Sequence, residues 1–317
     1  MLARVAENIY WLSRYLERAE NTVRLVDVHS RMLLDLADVE DHTGWIALIT
    51  INALDEQFNE KYALASETNV CDFLLADKDN PGSLLNAFIA IQNNLRSCRD
   101  IIPRSTYETV NEACRFVRQQ ASDAISQPNH RQAFLNSVKT RLLAIFGDFS
   151  SNMSHDIGFR FMRMGCHIER ADMTSRIIDV QSTRLTRGFT NNESMPMQQQ
   201  RWVSVLRTLS ARQMYRQHVR RPINGFDTLR YLLHDTELPR SYHFCINHLE
   251  STLLRFNRNE EPLAMLGSVR DQLISADLKS LAQHPLELHQ FIDTLQMNMQ
   301  SVAVAISETY FRPPSIK

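Results

Sequence analysis

The hydrophobic positions near the start of the chain recur at alternating steps of three and four residues. Six positions share this spacing: Ile9, Leu12, Leu16, Ala19, Val23 and Val26. At about 100° per residue they lie on one stripe of an α-helix, so the pattern predicts a helix whose stripe is core. The other faces carry Trp11, Tyr15 and Leu25, so we expect the helix to be central and its charged groups to be at least partly buried.

The charged positions of this helix recur later in the chain. Residues 14–28, RYLERAENTVRLVDV, are echoed by residues 166–180, CHIERADMTSRIIDV. The shared charges are Glu17, Arg18, Arg24 and Asp27, which recur as Glu169, Arg170, Arg176 and Asp179, and Glu20, which becomes Asp172. An echo of such long period is typical of internal duplication.

Further landmarks repeat in the same order. WIALI at residues 45–49 is echoed by WVSVL at 202–206, and FLLADKDNPGS at 73–83 by YLLHDTELPRS at 231–241. These echoes predict two homologous helical repeats, residues 1–150 and 151–317. Because the first helix is apolar on several sides, we expect the repeats to pack together as one pseudo-symmetric unit.

Turn chemistry predicts where two of the helices begin. Ser66 precedes a short apolar run and is expected to cap a helix there. In the turn DKDNPG, residues 77–82, Pro81 is suited to the first helical position with Asn80 as its cap.

Composition narrows the fold class and the compartment. Eight glycines in 317 residues, with abundant helix formers, predict an all-α multi-helix bundle. No apolar run approaches the length of a membrane span, and the start of the chain lacks the apolar core of a signal peptide. The five cysteines have no zinc-site spacing, which favours free thiols and a cytoplasmic location.

The net charge of −1 gives no overall field that would favour nucleic acid or a membrane as a partner. Locally, residues 201–230 carry seven arginines against one acid, whereas residues 44–73 carry one lysine against five acids. An anion site is one interpretation of Arg212, Arg216, Arg220 and Arg221, and nucleic acid is another. A solvent-facing or mutually complementary surface is the favoured interpretation, because no aromatic residues are interleaved for base stacking.

Three interpretations compete for the repeated charges. In the structural one, ion-pair ladders fix the register of two central helices, with Glu20, Arg24, Asp27, Asp172, Arg176 and Asp179 as members. In the ligand one, Arg18 and Arg170 bind a carboxylate or phosphate, Glu17 and Glu169 orient them or bind an amine, and Arg24 and Arg176 lie nearby.

The third interpretation is a dimetal site formed by two carboxylate pairs at i,i+3 spacing: Glu17 with Glu20, and Glu169 with Asp172. No histidine lies three residues after any of these carboxylates, and the nearby arginines oppose a cation. We therefore predict no metal and no cofactor. The common nucleotide-binding, hydrolase and metalloprotease motifs are not visible in the sequence.

Nearly the whole chain resembles the bacterial Alpha-E family, all-helical proteins named for a Glu-Arg motif. The resemblance is carried by residues 4–28, by IERAD at 168–172, and by the segments beginning FLLADKDNPGS and YLLHDTELPRSYHFC. It implies that the Glu-Arg pairs are Glu17-Arg18 and Glu169-Arg170. It also implies an association with circularly permuted ATP-grasp ligases, often beside transglutaminase-like proteins.

That association suggests a system that makes or modifies peptides or amides. We expect the chain to be a non-catalytic or accessory component of an ATP-grasp ligase system that binds a partner protein or an anionic peptide-like ligand through the paired motifs. One alternative is an enzyme of the same pathway that uses Glu17 or Glu169 as the general acid/base beside Arg18 and Arg170. The other alternative is a purely structural helical scaffold.

Overall fold

The computed structural model describes residues 1–35, 42–187 and 195–312, and this part of the chain consists of helices and their connections, without a strand. The all-α prediction is confirmed. The chain divides into two compact units, residues 1–166 and 167–317. Within the described ranges, no helix is both long enough and apolar enough to cross a membrane.

The described helices of the first unit are α1 (Ala3–Asp35), α2 (His42–Ile51), α3 (Asp55–Lys61), α4 (Glu67–Leu75), α5 (Leu84–Ser97), α6 (Arg104–Gln120), α7 (Asp123–Ser126) and α8 (Pro128–Asn152). A short 3-10 turn, Arg99–Ile101, follows α5. Helix α9 (Ile157–Arg187) begins in the first unit and continues into the second. The remaining helices are α10 (Met195–Thr208), α11 (Arg212–His218), α12 (Gly225–His234), α13 (Tyr242–Leu253), α14 (Glu260–Ser275), α15 (Leu278–Leu281) and α16 (Pro285–Tyr310).

Helix α1 is the central element of the first unit. Every residue of its predicted apolar stripe, from Ile9 to Val26, is at most 1% exposed, which confirms the stripe as core. Its main neighbours are α5 and α8. Since Leu25 is also buried, the core surrounds α1 on more than one side.

Serine side chains cap the N-termini of several of these helices. Ser66 caps α4 as predicted, because its Oγ accepts from the Asn69 backbone N–H at 3.2 Å. The expected cap at Asn80 is wrong: its Oδ1 accepts from the Gly82 N–H at 2.8 Å, which closes a local turn before the helix. Helix α5 starts three residues later than Pro81, with Ser83 as its cap.

Helices α1 and α9 approach closely within the first unit. Gly165 lies at this crossing: a Cβ built there would stand 2.5 Å from Ser13 Oγ and closer still to the Tyr10 carbonyl oxygen. Ser13 Oγ in turn donates to the Met162 carbonyl at 2.6 Å. This packing holds residues 157–166 in the first unit, so the boundary between the units falls after Cys166, whereas the sequence-based boundary lies before α9.

In the second unit, α16 packs along α14. Leu288, Ile292 and Leu295 of α16 are buried, and the Leu295 carbonyl accepts a hydrogen bond from Tyr242 Oη at 3.1 Å. The pKa of Tyr242 is raised well above its usual value because the phenol is desolvated by burial. Its hydroxyl therefore stays protonated and serves as a donor in the core of this unit.

Candidate functional site

The first Glu-Arg pair divides between a buried and an accessible position. Glu17 is 0% exposed, and its Oε2 accepts a hydrogen bond from the Cys166 thiol at 3.4 Å. Arg18 is only half-buried, and its guanidinium lies 5.5 Å from the centre of the Tyr15 ring. Consecutive residues of a helix project about 100° apart, so the side chains of Glu17 and Arg18 lie in different surroundings.

The second pair shows the same division within its own unit. Glu169 is 2% exposed, whereas Arg170 is half-buried and its Nη1 donates to the Pro239 carbonyl at 3.4 Å. One turn further along α9, Thr174 Oγ1 donates to the Arg240 carbonyl at 2.9 Å. These two bonds attach α9 to the segment before α13.

The i,i+4 ion pair of the first motif is buried. Arg24 Nη1 lies 2.8 and 2.7 Å from the two carboxylate oxygens of Glu20, and Arg24 Nη2 donates to Asn21 Oδ1. The side chains of Arg24 and Glu20 are 3% and 8% exposed. Two charges desolvated together depend on each other, because either one alone is costly in the interior.

The equivalent pair of the second motif has nearly the same length but more water around it. Arg176 Nε lies 2.8 Å from Asp172 Oδ2, with side-chain exposures of 29% and 24%. Solvent screens this interaction, so it contributes less to stability than the buried pair. The sequence predicted both contacts but gave no sign of the difference in burial.

Asp27 and Asp179, the last charges of the two motifs, bind the final long helix of their own unit. Asp27 Oδ1 accepts from Gln132 Nε2 of α8 at 2.7 Å and from Arg31 Nε at 2.8 Å. These two contacts tie Asp27 to α8 and to the following turn of α1. Asp179 Oδ1 lies 2.5 Å from His289 Nδ1 of α16.

Sequence reasoning missed Gln132 and His289. A signal was present: each stands four residues after a proline that opens its helix, Pro128 for α8 and Pro285 for α16. The two positions are 157 residues apart, which is close to the offsets of the other echoes. An alignment of these two segments at that offset pairs the two residues from sequence alone.

His289 lies between two carboxylates. Its Nδ1 is bonded to Asp179, and its Nε2 lies 3.5 Å from Asp293 Oδ2. The hydrogen bond with Asp179 is the main reason that the pKa of His289 is raised above its ordinary value. Within the described ranges these three residues form the one group with metal-ligand spacing, their donor atoms lying within 4.8 Å of one another. Because each ring nitrogen already faces a carboxylate, the arrangement is that of a hydrogen-bonded, readily protonated histidine.

The five cysteines are buried and in the thiol form, without a disulfide. Burial raises the pKa of Cys71, Cys98 and Cys114 to about 12. A thiol with so high a pKa is almost entirely protonated near neutral pH and is a poor nucleophile. These three residues are therefore part of the core, without the character of catalytic cysteines.

The fold and the two motifs define an all-helical protein in which the glutamate of each Glu-Arg pair is buried and the arginine is partly accessible. The chain belongs to the Alpha-E family, described as a predicted alpha-helical domain with a conserved ER motif, whose profile matches residues 1–311. Uncharacterized proteins of Mycobacterium tuberculosis and Mycobacterium bovis are 27% identical to it over 184 residues. That match covers 53% of this chain and 21% of each relative's length. No solved structure matches the chain.

Proposed function

We propose that this protein is a non-catalytic binding component that works with a circularly permuted ATP-grasp ligase in making or modifying peptides or amides. Membership of the Alpha-E family supports the proposal through the associations that the family resemblance implies. The observation that carries the non-catalytic part is the burial of both motif glutamates, Glu17 and Glu169, at 0% and 2% exposure. The five reduced thiols support a reducing compartment, the cytoplasm.

Burial weighs against the acid/base alternative because a catalytic carboxylate must come within about 2.6–3.2 Å of the proton that it moves. Glu17 is instead hydrogen-bonded to a thiol of its own unit. Its role is to hold helices in place. Arg18 and Arg170 retain accessible surface, and guanidinium groups suit carboxylate recognition and interface contacts. We assign them the contacts with an anionic peptide-like ligand or with the ligase.

The proposal is tested by measuring binding of the full chain to an ATP-grasp ligase from the same organism. Arg18→Ala and Arg170→Ala are expected to weaken the complex by at least about tenfold, as for arginine anchors in other interfaces. Arg104→Ala is the matched control, because its side chain is 92% exposed and pairs only along its own helix with Glu108. A complex that tolerates both motif variants as well as the control would refute the assignment.

Glu17→Gln and Glu169→Gln separate the remaining alternatives. A structural carboxylate loses a charge-assisted hydrogen bond in this isosteric exchange, so the melting temperature falls. If both variants kept the wild-type melting temperature while a ligase-dependent reaction stopped, the enzyme alternative would replace our proposal. If every variant bound the ligase normally and only stability changed, the helical scaffold would remain.

We further propose that the two repeats, residues 1–150 and 151–317, descend from one duplicated helical ancestor. Three features support this: helices α1 to α8 and α9 to α16 follow each other with similar lengths, Ser83 and Ser241 both cap the following helix, and Gln132 and His289 take the same partner position. The exchange His289→Gln tests it, since the glutamine of the first repeat should be accepted beside Asp179 without loss of the fold. An unfolded His289→Gln variant would contradict the equivalence.

A further inference from the structure

The second unit contains a cavity that neither Glu169 nor Arg170 lines. Its volume is about 430 Å³, and it lies where α11, residues 219–224 and α12 meet. This volume is in the range of about 300–1,000 Å³ that small-molecule sites occupy. Six polar residues line it: His218, Arg221, Arg230, Tyr231, His234 and Asp235.

Two arginines present their guanidinium groups at this cavity. Arg221 and Arg230 have side chains that are 66% and 53% exposed. Their nearest carboxylate oxygen, Asp227 Oδ1, is 3.8 Å from Arg221 Nη1 and 3.7 Å from Arg230 Nη2. Both distances exceed hydrogen-bond length, so the N–H groups of both forks remain available to a ligand oxygen.

Asp227 keeps the two arginines near each other. Its side chain is 5% exposed, and it is fixed by Asn224, whose Nδ2 donates to Asp227 Oδ2 at 2.9 Å and whose Oδ1 accepts from the Asp227 N–H at 2.9 Å. Both arginines approach Asp227 Oδ1: Arg221 from the segment before α12, and Arg230 from α12 itself. Two guanidinium groups drawn to one buried charge are suited to share one oxyanion.

The end of α12, which also lines the cavity, is fixed by hydrogen bonds. His234 Nε2 donates to the Leu273 carbonyl at 2.8 Å, and burial lowers the pKa of His234. Asp235 Oδ1 accepts from the backbone N–H groups of Glu237 and Leu238 at 2.9 and 2.6 Å, and these donors offset part of its negative charge. The cavity thus has ordered walls, and rigid walls reduce the entropy cost of binding.

The corresponding place in the first unit is chemically different. At the offset of 158 residues that aligns 73–83 with 231–241, Arg230 corresponds to Asp72 and His234 to Ala76. In the first unit Asp72 is tied up by Tyr62 Oη, which donates to its Oδ2 at 2.5 Å. The guanidinium of Arg230 and the imidazole of His234 therefore have no equivalent in the first unit.

The first unit has an additional ring in this region, Tyr62, beside the edge-to-face pair Phe58–Phe73, whose counterpart in the second unit is the pair Tyr215–Tyr231 at 5.5 Å. The rings of Phe58, Tyr62 and Phe73 lie with their centroids 5.1 to 6.1 Å apart, and Phe58 and Phe73 are at most 2% exposed. If the arginines of this surface only faced solvent, there would be no reason for a cavity between them. The combination of open space with two guanidinium groups that lie beyond hydrogen-bond distance of their ion-pair partner Asp227 needs another explanation.

We propose that this cavity binds a small molecule through an oxyanion group, a phosphate or a carboxylate, with Arg221 and Arg230 as the anion ligands. The site is independent of the function assigned to the Glu-Arg motif. It also explains why residues 201–230 carry seven arginines against one acid: the excess positive charge attracts an anion to the site.

The test titrates the full chain with inorganic phosphate and, separately, with acetate, at constant ionic strength, by isothermal titration calorimetry. We expect saturable binding of at least one of these probes, and their relative affinities identify the preferred oxyanion. Arg221→Ala and Arg230→Ala should each weaken it about ten- to a hundredfold, the equivalent of one charged hydrogen-bond contact. Arg230→Lys should lie between wild type and Arg230→Ala, because lysine keeps the charge but loses the fork.

Arg216→Ala is the matched control. Arg216 belongs to the same arginine-rich stretch and is exposed, and its removal changes the net charge equally. The site is refuted if neither probe binds, or if Arg216→Ala weakens binding as much as the cavity variants. A third titration uses single-stranded RNA. If the affinity increases with RNA length and Arg216→Ala weakens RNA binding as much as the cavity variants do, the arginines form a nucleic-acid-binding surface and not a small-molecule site. Circular dichroism checks that the variants, whose side chains are mostly exposed, remain folded.

Discussion

The two equivalent ion pairs of α1 and α9 provide a test of burial within one molecule. Glu20–Arg24 and Asp172–Arg176 share the i,i+4 spacing and are nearly equal in length, 2.7 against 2.8 Å, but the first pair is at most 8% exposed and the second at least 24%. The changes to compare are Glu20→Gln and Asp172→Asn, because each removes one negative charge and keeps the shape of the side chain.

In the buried pair, Glu20→Gln removes the carboxylate charge that faces the buried guanidinium of Arg24. Breaking one partner of a buried pair costs about 3–5 kcal/mol. For a unit of this size each kcal/mol lowers the melting temperature by about 2–4 °C, so the expected decrease is about 6–20 °C. Asp172→Asn breaks a screened pair worth about 0–1 kcal/mol, so its decrease should stay below about 4 °C.

Differential scanning calorimetry of both variants and the wild type measures the two effects. The double variant Glu20→Met with Arg24→Met is the internal check, because it replaces both buried charges by apolar side chains. It should recover much of the lost stability, since an apolar pair of similar volume often equals a buried ion pair. Equal decreases for Glu20→Gln and Asp172→Asn, or a double variant less stable than Glu20→Gln, would refute the explanation by burial.

Three further predictions concern packing, pH and thiol chemistry. Gly165→Ala should destabilise the first unit by at least about 1–3 kcal/mol, because its Cβ would collide with the Tyr10 carbonyl oxygen. Gly147→Ala in α8, where nothing lies within 4 Å of the added Cβ, should instead stabilise the protein by about 0.5–1 kcal/mol. Urea unfolding measures both changes in the free energy of unfolding, and changes of the same sign would contradict this prediction. The raised pKa of His289 beside Asp179 adds stability that is complete below its unfolded pKa of about 6.5 and is lost as pH rises through the higher folded pKa. The melting temperature of wild type minus that of His289→Gln should therefore shrink as the pH rises above about 6.5, and a difference that grew would overturn the assignment. The five buried cysteines should react with a thiol reagent only after denaturant is added; rapid modification of the native protein would show that they are accessible.

Much of the candidate site could be predicted from the sequence, because the spacing of residues along a helix determines which side chains of that helix lie next to each other. The spacing of Glu20 and Arg24, and of Asp172 and Arg176, specifies contacts that any α-helix must make possible. Because adjacent residues of a helix project about 100° apart, Glu17 and Arg18 necessarily face different neighbours. The partners contributed by other helices, Gln132 and His289, were missed, because periodicity within one helix says nothing about what lies opposite.

The sequence by itself determined that the chain is helical, that the apolar stripe of α1 is core, and that the same charges recur on α9. These properties depend on local periodicity and composition. Tertiary structure alone decided that the Glu20–Arg24 pair is desolvated while Asp172–Arg176 is not, and that a cavity opens beside Arg221 and Arg230. The physical reason is that burial and empty space are set by groups distant in the sequence that pack around a residue, and the effective strength of each charge follows from that packing.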